Sequence, residues 1–595
     1  MRQKKEGLVD PESTATDTGG PPFLDSNQEP SAAAEAGATA EADAVVVRHR
    51  RPSIVKSAGI ISGAVMISRI LGLAREVIFA YFFGASKSFA YDAYVIAFRI
   101  PNMLRALFAE GALSAAFVTV FSDYLVTKDK DAARRLSNIT TTALVLVLGA
   151  LVILGVLFTP AIVGTLAPGY LKDPEKFRLT VKLTRIMMPY ILLVALAAKA
   201  MGLLNACDRF GIPALSSSFF NIGSIVGGLL LAAYMADSTL AHPIRGVIDH
   251  PVAGIVGMAS GVLIGGLLQY LIQWPSLRQI GFRYTPVLGL ADPGLRRLIG
   301  LFVPAVIGAA AVQVNVVVNS NFASTIPGNG PVSWLSYAFR LMQFPMGLFG
   351  VSIATATLPS ISRSAAVADI AGFRHTLAAS LRLGFLATIP SAVGLVVLAR
   401  PIIALIYQRG DFGARDTDHT AGALACYAIG LAGYAGTRLM APAFYALNDG
   451  RTPMLISLAS IVTNLALNWI LVGPLQERGL ALSTSLVAIS NFAALYWVMS
   501  RRIGGVDGRA NAAAMARIAL ASGLMGLVCW GCWYLASTSS MLTGTNFLVR
   551  AVAVIGCVGT GAGTFYVAAY TLGVRELQIA SIGIKAAVRK MLRSS

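Results

Sequence analysis

Charged residues, cysteine and histidine are all scarce in this sequence. Only 13% of its 595 residues are charged, and it contains 5 cysteines and 5 histidines. The cysteines lie in or beside apolar segments without the spacing of metal ligands or of a disulfide framework, and the histidines are scattered. Cys529 and Cys532 form a C-x-x-C pair, but its place in an apolar segment favours packing over redox chemistry. This scarcity argues against a metal site and against a disulfide-rich secreted fold.

Hydrophobic residues are abundant instead: they make up 55% of the chain, and the mean hydropathy is +0.68. Apolar stretches long enough to cross a hydrocarbon core of about 30 Å recur from Ser57 onward. We count about fourteen of them, which predicts an all-α integral membrane protein with about fourteen transmembrane helices. These predicted spans are numbered in chain order and are centred near Ile67, Leu104, Leu151, Leu192, Ser224, Gly266, Val312, Leu348, Gly394, Gly433, Leu465, Ser490, Gly526 and Gly559.

The positions of the basic residues indicate an orientation. The chain has 48 Lys and Arg against 29 Asp and Glu, an excess that by itself also fits nucleic-acid binding. The basic residues, however, concentrate in alternate gaps between the predicted spans, including the stretches before the first span and after the last. This positive-inside pattern predicts a multi-pass protein of the bacterial inner membrane with both termini in the cytoplasm, and it makes a nucleic-acid partner unnecessary.

The sequence also divides along its length. Residues 1–55 lack an apolar run, so we predict a disordered cytoplasmic tail, with the first span acting as the signal anchor. The run AFRIPNMLRALF from Ala97 resembles AFRLMQFPMGLF from Ala338, and the segments opened by Pro213 and Pro453 are offset by a similar distance. Such a repeat predicts two six-helix lobes, residues 56–290 and 291–505, related by a parallel pseudo-two-fold axis along the membrane normal. Residues 506–595 then hold two C-terminal helices and a basic end; chance similarity between apolar helices is the alternative.

Arginines inside predicted spans are the clearest functional signal. Arg69 and Arg75 lie in span 1, Arg105 in span 2 and Arg340 in the second repeat, and each arginine at mid-membrane costs about 2.5 to 3.5 kcal/mol. Snorkelling, or pairing with nearby acids to lock helices together, is the structural explanation. The deepest acids are too few to neutralise four cations, so the surplus favours a cavity for a pyrophosphate or carboxylate, which guanidinium groups bind bidentately.

Other intramembrane polar residues carry weaker signals. Lys199 and Arg438 are single charges to which no role is assigned. A group of amides and one hydroxyl forms a candidate site for a monovalent cation, although hydrogen bonding between helices is the simpler interpretation. This group comprises Asn315 and Asn319 in span 7, Asn464 and Asn468 in span 11, and Thr484 in span 12.

Four motifs stand out: SRILGLARE from Ser68, FGASKSFAYDAYVIAFRIPNMLRALFAEGALSAAFV from Phe83, SWLSYAFRLMQFPMGLFGVSIATATLPSIS from Ser333 and FYALNDGRTP from Phe444. They resemble the MurJ (MviN) family of lipid II flippases, within the larger group of multidrug, oligosaccharidyl-lipid and polysaccharide exporters. The resemblance implies fourteen helices, the last two forming a groove for the lipid tail. It also implies that the family's essential cavity arginines and acidic position correspond to residues of this chain. With Glu110 added from span 2, the predicted substrate-binding residues are Arg69, Arg75, Arg105, Arg340, Asp92 and Glu110.

Two departures from the family pattern concern coupling. The family often has Asp before the arginine of span 8, where this chain has Phe339, so Arg340 loses that acidic neighbour. Some members bind sodium through an Asn and an Asp four residues apart, where this chain has Asn464 and Asn468. The second departure removes the carboxylate that would attract a cation.

The predicted function is transport in which no covalent bond is made or broken. We expect the chain to flip lipid II, the undecaprenyl-pyrophosphate-linked disaccharide-pentapeptide, to the outer leaflet by alternating access for cell-wall synthesis. It would need no cofactor and no catalytic residues, would use the membrane potential or a monovalent cation, and would contact membrane lipids and candidate cell-wall synthesis proteins. The alternatives are an exporter of another lipid-linked glycan, a drug/ion antiporter of the same superfamily, a membrane enzyme and a non-transporting scaffold.

Overall fold

A computed structural model describes residues 54–108, 112–237, 242–538 and 547–577. Within these ranges the chain is helical and contains no strand, which confirms the all-α prediction. The predicted disordered tail up to residue 53, Glu110 and the basic C-terminal end beyond residue 577 lie outside the described residues. From Ser57 onward the helices pack as one compact unit, so the boundary between the two predicted lobes stays a prediction.

The first half of the chain supplies the helices that hold most of the predicted arginines. A short 3₁₀ turn, Pro168–Lys172, joins two of them. The helices are α1 (Ile54–Phe83), α2 (Ala90–Phe108), α3 (Ala112–Thr127), α4 (Lys130–Leu157), α5 (Thr159–Leu166), α6 (Pro174–Met187), α7 (Tyr190–Ala206), α8 (Gly211–Ala236), α9 (Pro243–Asp249), α10 (Pro251–Leu271) and α11 (Trp274–Gln279).

The second half contains longer, bent helices. A π turn, Met346–Val351, interrupts the segment of predicted span 8. The helices are α12 (Pro293–Thr325), α13 (Pro331–Pro345), α14 (Ser352–Ala366), α15 (Ile370–Val397), α16 (Ala399–Tyr407), α17 (Ala414–Ile429), α18 (Leu431–Ala446), α19 (Arg451–Arg502), α20 (Gly508–Thr538) and α21 (Phe547–Thr571).

The predicted span centres all fall in helical structure, and the architecture is that of a multi-pass membrane protein. In the described part of the chain, nine helical segments are long and apolar enough to cross a membrane. The centres of predicted spans 1, 2, 7 and 10 lie on α1, α2, α12 and α18, which are outside those nine. The count of fourteen therefore stays a prediction.

One helix bends sharply where the sequence predicts two spans. In α19, Gln476 has φ 51° and ψ −127°, a non-helical conformation that is rare for a residue with a side chain. Pro474 precedes it and removes a helical hydrogen bond at the same place. The bend separates predicted spans 11 and 12.

Glycines bring α8 and α10 into close contact. Gly257, Gly261 and Gly265 recur every four residues on one face of α10, and an added Cβ at each would overlap the backbone of α8. Small residues at this spacing are how membrane helices approach closely when no hydrophobic effect drives them together. The contact fixes α8, which in turn packs on α1: Asn221 Nδ2 donates to the Ser68 carbonyl at 3.1 Å.

Candidate functional site

A single carboxylate organises the charged cluster between the two halves of the chain. Glu76 of α1 is 5% exposed and accepts hydrogen bonds from Tyr91 Oη at 2.6 Å and from Arg340 Nη2 at 2.8 Å. Arg75 Nη2 lies 3.7 Å from the same oxygen, Glu76 Oε1. Two predicted arginines, one from each half, therefore share one negative charge, and the cluster keeps a positive surplus.

Arg75 is buried with hydrogen-bonding capacity to spare. The residue is 6% exposed, and its guanidinium carbon lies 5.8 Å from the ring centre of Phe98 and 5.5 Å from that of Phe220. Among the described residues, Nε and Nη1 have no hydrogen-bond partner. Aromatic faces attract a cation but cannot accept its N–H groups fully, so the two unpaired donors are costly unless an anion or water meets them.

Arg340 has a partner that the sequence did not assign to it. Its side chain is 38% exposed, so the guanidinium reaches both Glu76 and solvent. Phe339, which stands where the family often has Asp, packs edge-on against Tyr427 at 5.4 Å. In this chain the acidic partner of Arg340 is therefore Glu76, a carboxylate from the other half of the chain.

Arg69 lies further along the same pair of helices. Its guanidinium packs against Gly347 in the π turn so closely that a Cβ at that position would overlap it. Arg69 and Glu76 are seven residues apart on α1, and Arg340 and Gly347 are seven apart on the facing segment, so each pair lies on one helix face. The contacts therefore define one seam, the α1–α13 seam, along which Arg69 and Arg340 are about 10 Å apart in helical rise.

Two arginines of α2 make different contacts. Arg105, which was predicted for the site, contacts its own helix, whereas Arg99, which was not, contacts the second half of the chain. Arg105 Nε donates to Asn102 Oδ1 at 2.9 Å within α2 and takes part in a further interaction. Arg99 Nη1 donates to Ser320 Oγ of α12 at 2.5 Å. Sequence reasoning left Arg99 out of the site although it occupies the arginine of the first AFR motif, the position that matches Arg340. The match between Arg99 and Arg340 in the two AFR motifs could therefore have identified Arg99 from the sequence.

Asp92 is fully occupied by protein donors. It is 0% exposed and accepts from Lys176 Nζ at 2.9 Å, Gly330 N at 2.9 Å, Ser333 N at 2.8 Å and Ser333 Oγ at 2.5 Å. Gly330 and Ser333 begin α13, so Asp92 caps a helix of the second half, where the helix dipole favours a negative charge. In this conformation Asp92 joins α2 to α13, and its predicted contact with substrate stays a prediction.

Asp416 makes the reverse connection and was not singled out by the sequence. It lies at the start of α17, is buried, and accepts from Trp334 Nε1 at 2.9 Å and from the backbone N–H groups of Ala85 and Ser86 at 3.2 and 3.0 Å. Those two residues belong to the turn, residues 84–89, that precedes α2. An acid in the first turn of a helix is common, so no sequence signal distinguished this one.

Further contacts complete what we call the closed end: the turn 84–89 and the N-termini of α13 and α17. Asp411 N donates to the Tyr81 carbonyl at 2.9 Å, and Tyr337 Oη donates to the Gly84 carbonyl at 3.3 Å. The rings of Tyr91 and Tyr337 stack with centres 4.8 Å apart. At this end of the bundle the two halves are held together by buried polar and aromatic contacts.

The five residues of the candidate cation site do come together. Asn464 Nδ2 donates to Asn315 Oδ1 at 3.1 Å and to Asn319 Oδ1 at 3.0 Å, and Asn468 Nδ2 donates to Asn319 Oδ1 at 2.9 Å. Asn319 Nδ2 donates to Thr484 Oγ1 at 3.3 Å. Three of the four amide oxygens accept hydrogen bonds from this group and its neighbour Ser483, which favours the interhelical interpretation. Within the described ranges no group of three or more His, Cys, Asp or Glu side chains is placed to hold a metal.

Comparisons with known proteins show the family of the chain. The family model described as "Lipid II flippase MurJ" matches residues 79–553. A "Lipid II flippase MurJ" of Burkholderia cenocepacia is 35% identical over 446 residues, covering 74% of this chain and 83% of the relative. A "Probable lipid II flippase MurJ" of Vibrio cholerae is 33% identical over 534 residues, covering 88% of this chain and 97% of the relative.

Solved structures show the same fold. A structure described as "Lipid II flippase MurJ, inward closed conformation" superposes with a TM-score of 0.67 at 29% identity, covering 85% of this chain and 98% of that one. An inward-facing multidrug resistance MATE transporter of the MOP superfamily superposes with a TM-score of 0.61 at 14% identity, covering 74% of this chain and 96% of that one, and this likeness shows the fold alone. From the matched length and the identity to its relatives, the chain belongs to the lipid II flippase MurJ family.

Proposed function

We propose that this chain moves lipid II from the cytoplasmic to the outer leaflet of the bacterial inner membrane by alternating access. The observation that carries the proposal is the shared carboxylate: Arg75 and Arg340, from different halves, meet at Glu76, and Arg75 keeps two unpaired buried donors. Family membership supports the identity of the cargo. Its pyrophosphate supplies the oxygens that unpaired guanidinium donors require.

The charge balance of the α1–α13 seam fits an anionic cargo. Arg69, Arg75 and Arg340 contribute three positive charges against the single charge of Glu76. A pyrophosphate entering between α1 and α13 would compete with Glu76 for Arg340 and would meet the free N–H groups of Arg75. Because the arginines come from both halves, binding there links cargo to the relative position of the halves. A drug/ion antiporter for cations would require the opposite surplus.

The orientation follows from the positive-inside pattern. With both termini in the cytoplasm, the turn 84–89 and the N-termini of α13 and α17 face outward, so the closed end is the outer end and cargo would reach the α1–α13 seam from the cytoplasmic side. Opening outward requires Asp92 to release α13 and Asp416 to release the turn 84–89. The surplus positive charge of the seam would be driven back inward by the membrane potential, at about 2.3 kcal/mol per charge for each 100 mV.

Transport against a gradient needs an energy source, for which the chain offers two candidates. We place the membrane potential first because the asparagine cluster carries no formal charge, whereas the seam does. A monovalent cation at the asparagine cluster is the second candidate, supported by Asn464 Oδ1, a buried oxygen without a partner among the described residues. Contacts with membrane lipids and with cell-wall synthesis proteins follow from the cargo and the location.

Complementation tests the proposal. In a strain depleted of its own flippase, Arg75→Ala and Arg340→Ala should fail to restore growth at wild-type membrane levels, because they remove donors from both halves of the seam. Arg363→Ala, which changes a mainly solvent-facing arginine of α14 that contacts Ser360 at 3.4 Å, is the matched control and should complement. Growth supported by Arg75→Ala would contradict the proposal.

A binding assay separates the cargo from the alternatives. Purified protein should retain lipid II in native mass spectrometry, and the bound lipid should be released with unchanged mass, since no bond is made or broken. Arg75→Ala should reduce that retention. Equal retention of another lipid-linked glycan with a different head group would favour the broader exporter alternative, and conversion of lipid II to a product would favour an enzyme.

A further inference from the structure

A second basic cleft lies in the first half, away from the α1–α13 seam. The outer part is a basin of about 370 Å³ between the start of α4 and the segment that follows α11, and the inner part is a recess of about 50 Å³ that reaches α7. Asn138 and Arg283 line both parts, so the two parts adjoin each other and are treated as one cleft. We call it the Lys199 cleft after the residue that lines its recess.

Lys199 is a buried cation without an acidic partner. The residue is 7% exposed, its Nζ donates to Ser137 Oγ of α4, and the same nitrogen lies 5.2 Å from the ring centre of Phe117. Within the described ranges no carboxylate lies within ion-pair distance of it. An ammonium has three donors, and burying its charge is costly unless an opposite charge approaches. The recess is the space through which such a charge can reach it.

The mouth of the cleft is basic as well. Arg134, Arg135 and Arg283 line the outer basin, and the single acid there is Asp131, which lies 3.2 Å from Arg134. Gly281, at φ +80°, forms a turn over which the Arg134 guanidinium lies; a Cβ at that position would come within 2.8 Å of Arg134 Nη2. Four cations thus face one acid across a cavity that is also lined by amide and hydroxyl groups. This combination suits a phosphate group.

The cleft lies at the level of lipid headgroups. Lys176 is at the closed end and Lys199 is further along the α6–α7 helix pair; at 1.5 Å per residue their separation corresponds to about 35 Å, close to the thickness of a bilayer. Beside the cleft, the ring of the exposed Trp274 packs against Tyr270 at 6.1 Å and under Arg278 at 5.3 Å. Tryptophan and tyrosine near arginine are typical of the membrane–water interface.

We propose that the Lys199 cleft binds the phosphate of an anionic phospholipid in the leaflet that faces the basic termini, with Lys199 at its floor and Arg135 and Arg283 at its mouth. The site is separate from the α1–α13 seam because it is built from α4, α7 and residues of the stretch 270–287, which runs from the end of α10 through α11 to the segment after it. Only the assignment of the leaflet rests on the proposed orientation. Occupation of the site would neutralise Lys199 and hold α4 and α7 together in the membrane.

Native mass spectrometry of the purified full chain tests the proposal. The probes are dioctanoyl phosphatidylglycerol, dioctanoyl phosphatidylcholine as the lipid without net charge, and glycerol 3-phosphate as the soluble phosphate. Lys199→Met should weaken phosphatidylglycerol binding at least tenfold and Arg283→Gln several-fold, while Lys199→Arg should stay close to wild type. Arg278→Gln, at the same end of the bundle but outside the cleft, is the charge-matched control and should bind as wild type does.

Two results would overturn the proposed lipid site. Unchanged phosphatidylglycerol binding by Lys199→Met, or an equal loss with phosphatidylcholine, would overturn the site and leave Lys199 as a helix-packing residue. Binding of glycerol 3-phosphate that depends on Lys199, without lipid binding, would keep the phosphate chemistry and overturn the lipid source. If Lys199→Met fails to fold, Arg283→Gln carries the test, since it changes an exposed side chain. Failure here leaves the complementation by seam variants unaffected, so the two proposals fail independently.

Discussion

The closed end and the α1–α13 seam both bury carboxylates, but they satisfy them differently. At the closed end, the Asp92 carboxylate accepts four hydrogen bonds from protein donors, one of them from the buried Lys176. Its side chain is completely inaccessible to solvent. At the seam, Glu76 is shared by two arginines, one of which keeps unpaired N–H groups and the other reaches solvent. A buried charge whose hydrogen bonds are all made within the protein stabilises one arrangement of helices. A buried charge that keeps unpaired hydrogen-bonding groups is available to a ligand.

The strongest test of this difference is Asp92→Asn. It leaves Lys176 buried without its counter-charge and replaces an acceptor of Ser333 and Gly330, so we expect a loss of about 3 to 5 kcal/mol in stability. The apparent Tm of the purified protein should fall by several degrees, and cysteines introduced in the turn 84–89 should label faster. Asp411→Asn, whose partner Lys87 is largely exposed, is the control and should change stability by less than about 1 kcal/mol. An equal fall in the apparent Tm of both variants would contradict the special role of Asp92 in holding the closed end together.

A smaller change in stability is expected from Glu76→Gln. The glutamine keeps an acceptor for Tyr91 but loses the charge that Arg75 and Arg340 share, and the partial exposure of Arg340 limits the cost to about 2 kcal/mol. Adding Arg340→Gln should recover part of this loss, since one uncompensated cation is removed. A double-mutant cycle read by thermal unfolding measures the coupling. Strict additivity would mean that the pair does not interact.

Gly347→Ala should disturb the seam with little effect on the fold. The new methyl group would displace the Arg69 guanidinium, so we expect complementation to drop several-fold while the apparent Tm changes by an amount equivalent to about 1 kcal/mol. Gly350→Ala, in the same π turn, is the matched control because its Cβ would meet Ala435 at an ordinary 3.7 Å. If Arg69→Ala already abolishes the contact, adding Gly347→Ala to it should have no further effect on growth.

The smallest effect is expected at a partly buried acid, Asp449, which lies in the connection between α18 and α19. The backbone N–H of Thr452, followed by its hydroxyl and by Arg502, lowers the pKa of Asp449 below its ordinary value of 3.8. Because the folded pKa is the lower one, the stabilisation is complete above the unfolded pKa and is lost as pH falls through the folded pKa. Asp449→Asn should cost less than about 1 kcal/mol at pH 7, and the difference between the two proteins in urea titrations should shrink as the pH falls below the ordinary pKa of an aspartate. A difference that persists at low pH would point to packing rather than charge.

The helices, and the arginines that lie within them, could be predicted from the sequence because both are local signals. A run of apolar residues interrupted by Arg69 and Arg75 is visible without any knowledge of the fold. Their partners are not visible in the same way: Arg340 and Glu76 are 264 residues apart, and nothing in the composition of either segment selects the other. The position of Asp92 in the chain was likewise clear, but its saturation by four protein donors depends on how α2 meets α13.

Contacts between residues that are distant in the sequence also explain which site residues the sequence did not identify. Asp416 looks like an ordinary acid at the start of a helix, and its contact with the turn 84–89 exists only once the two halves pack together. Gly347 is one of 58 glycines, and its value to Arg69 depends on a close approach of two helices. Lys199 was visible as a lone charge, but its cleft is made by three separate segments.

Asp92 and Ser333 occupy matching places in the predicted internal repeat, since they are 241 residues apart, as are Ala97 and Ala338, and they touch each other directly. Two matching positions can meet only beside the axis that relates the copies, as in the interface of a symmetric homodimer. In a perfectly symmetric pair the same residue would face itself there, and two aspartates would repel each other. Because both copies of the predicted repeat belong to one chain, this contact can place an acid on one copy and a hydroxyl on the other, and it becomes a matched donor and acceptor.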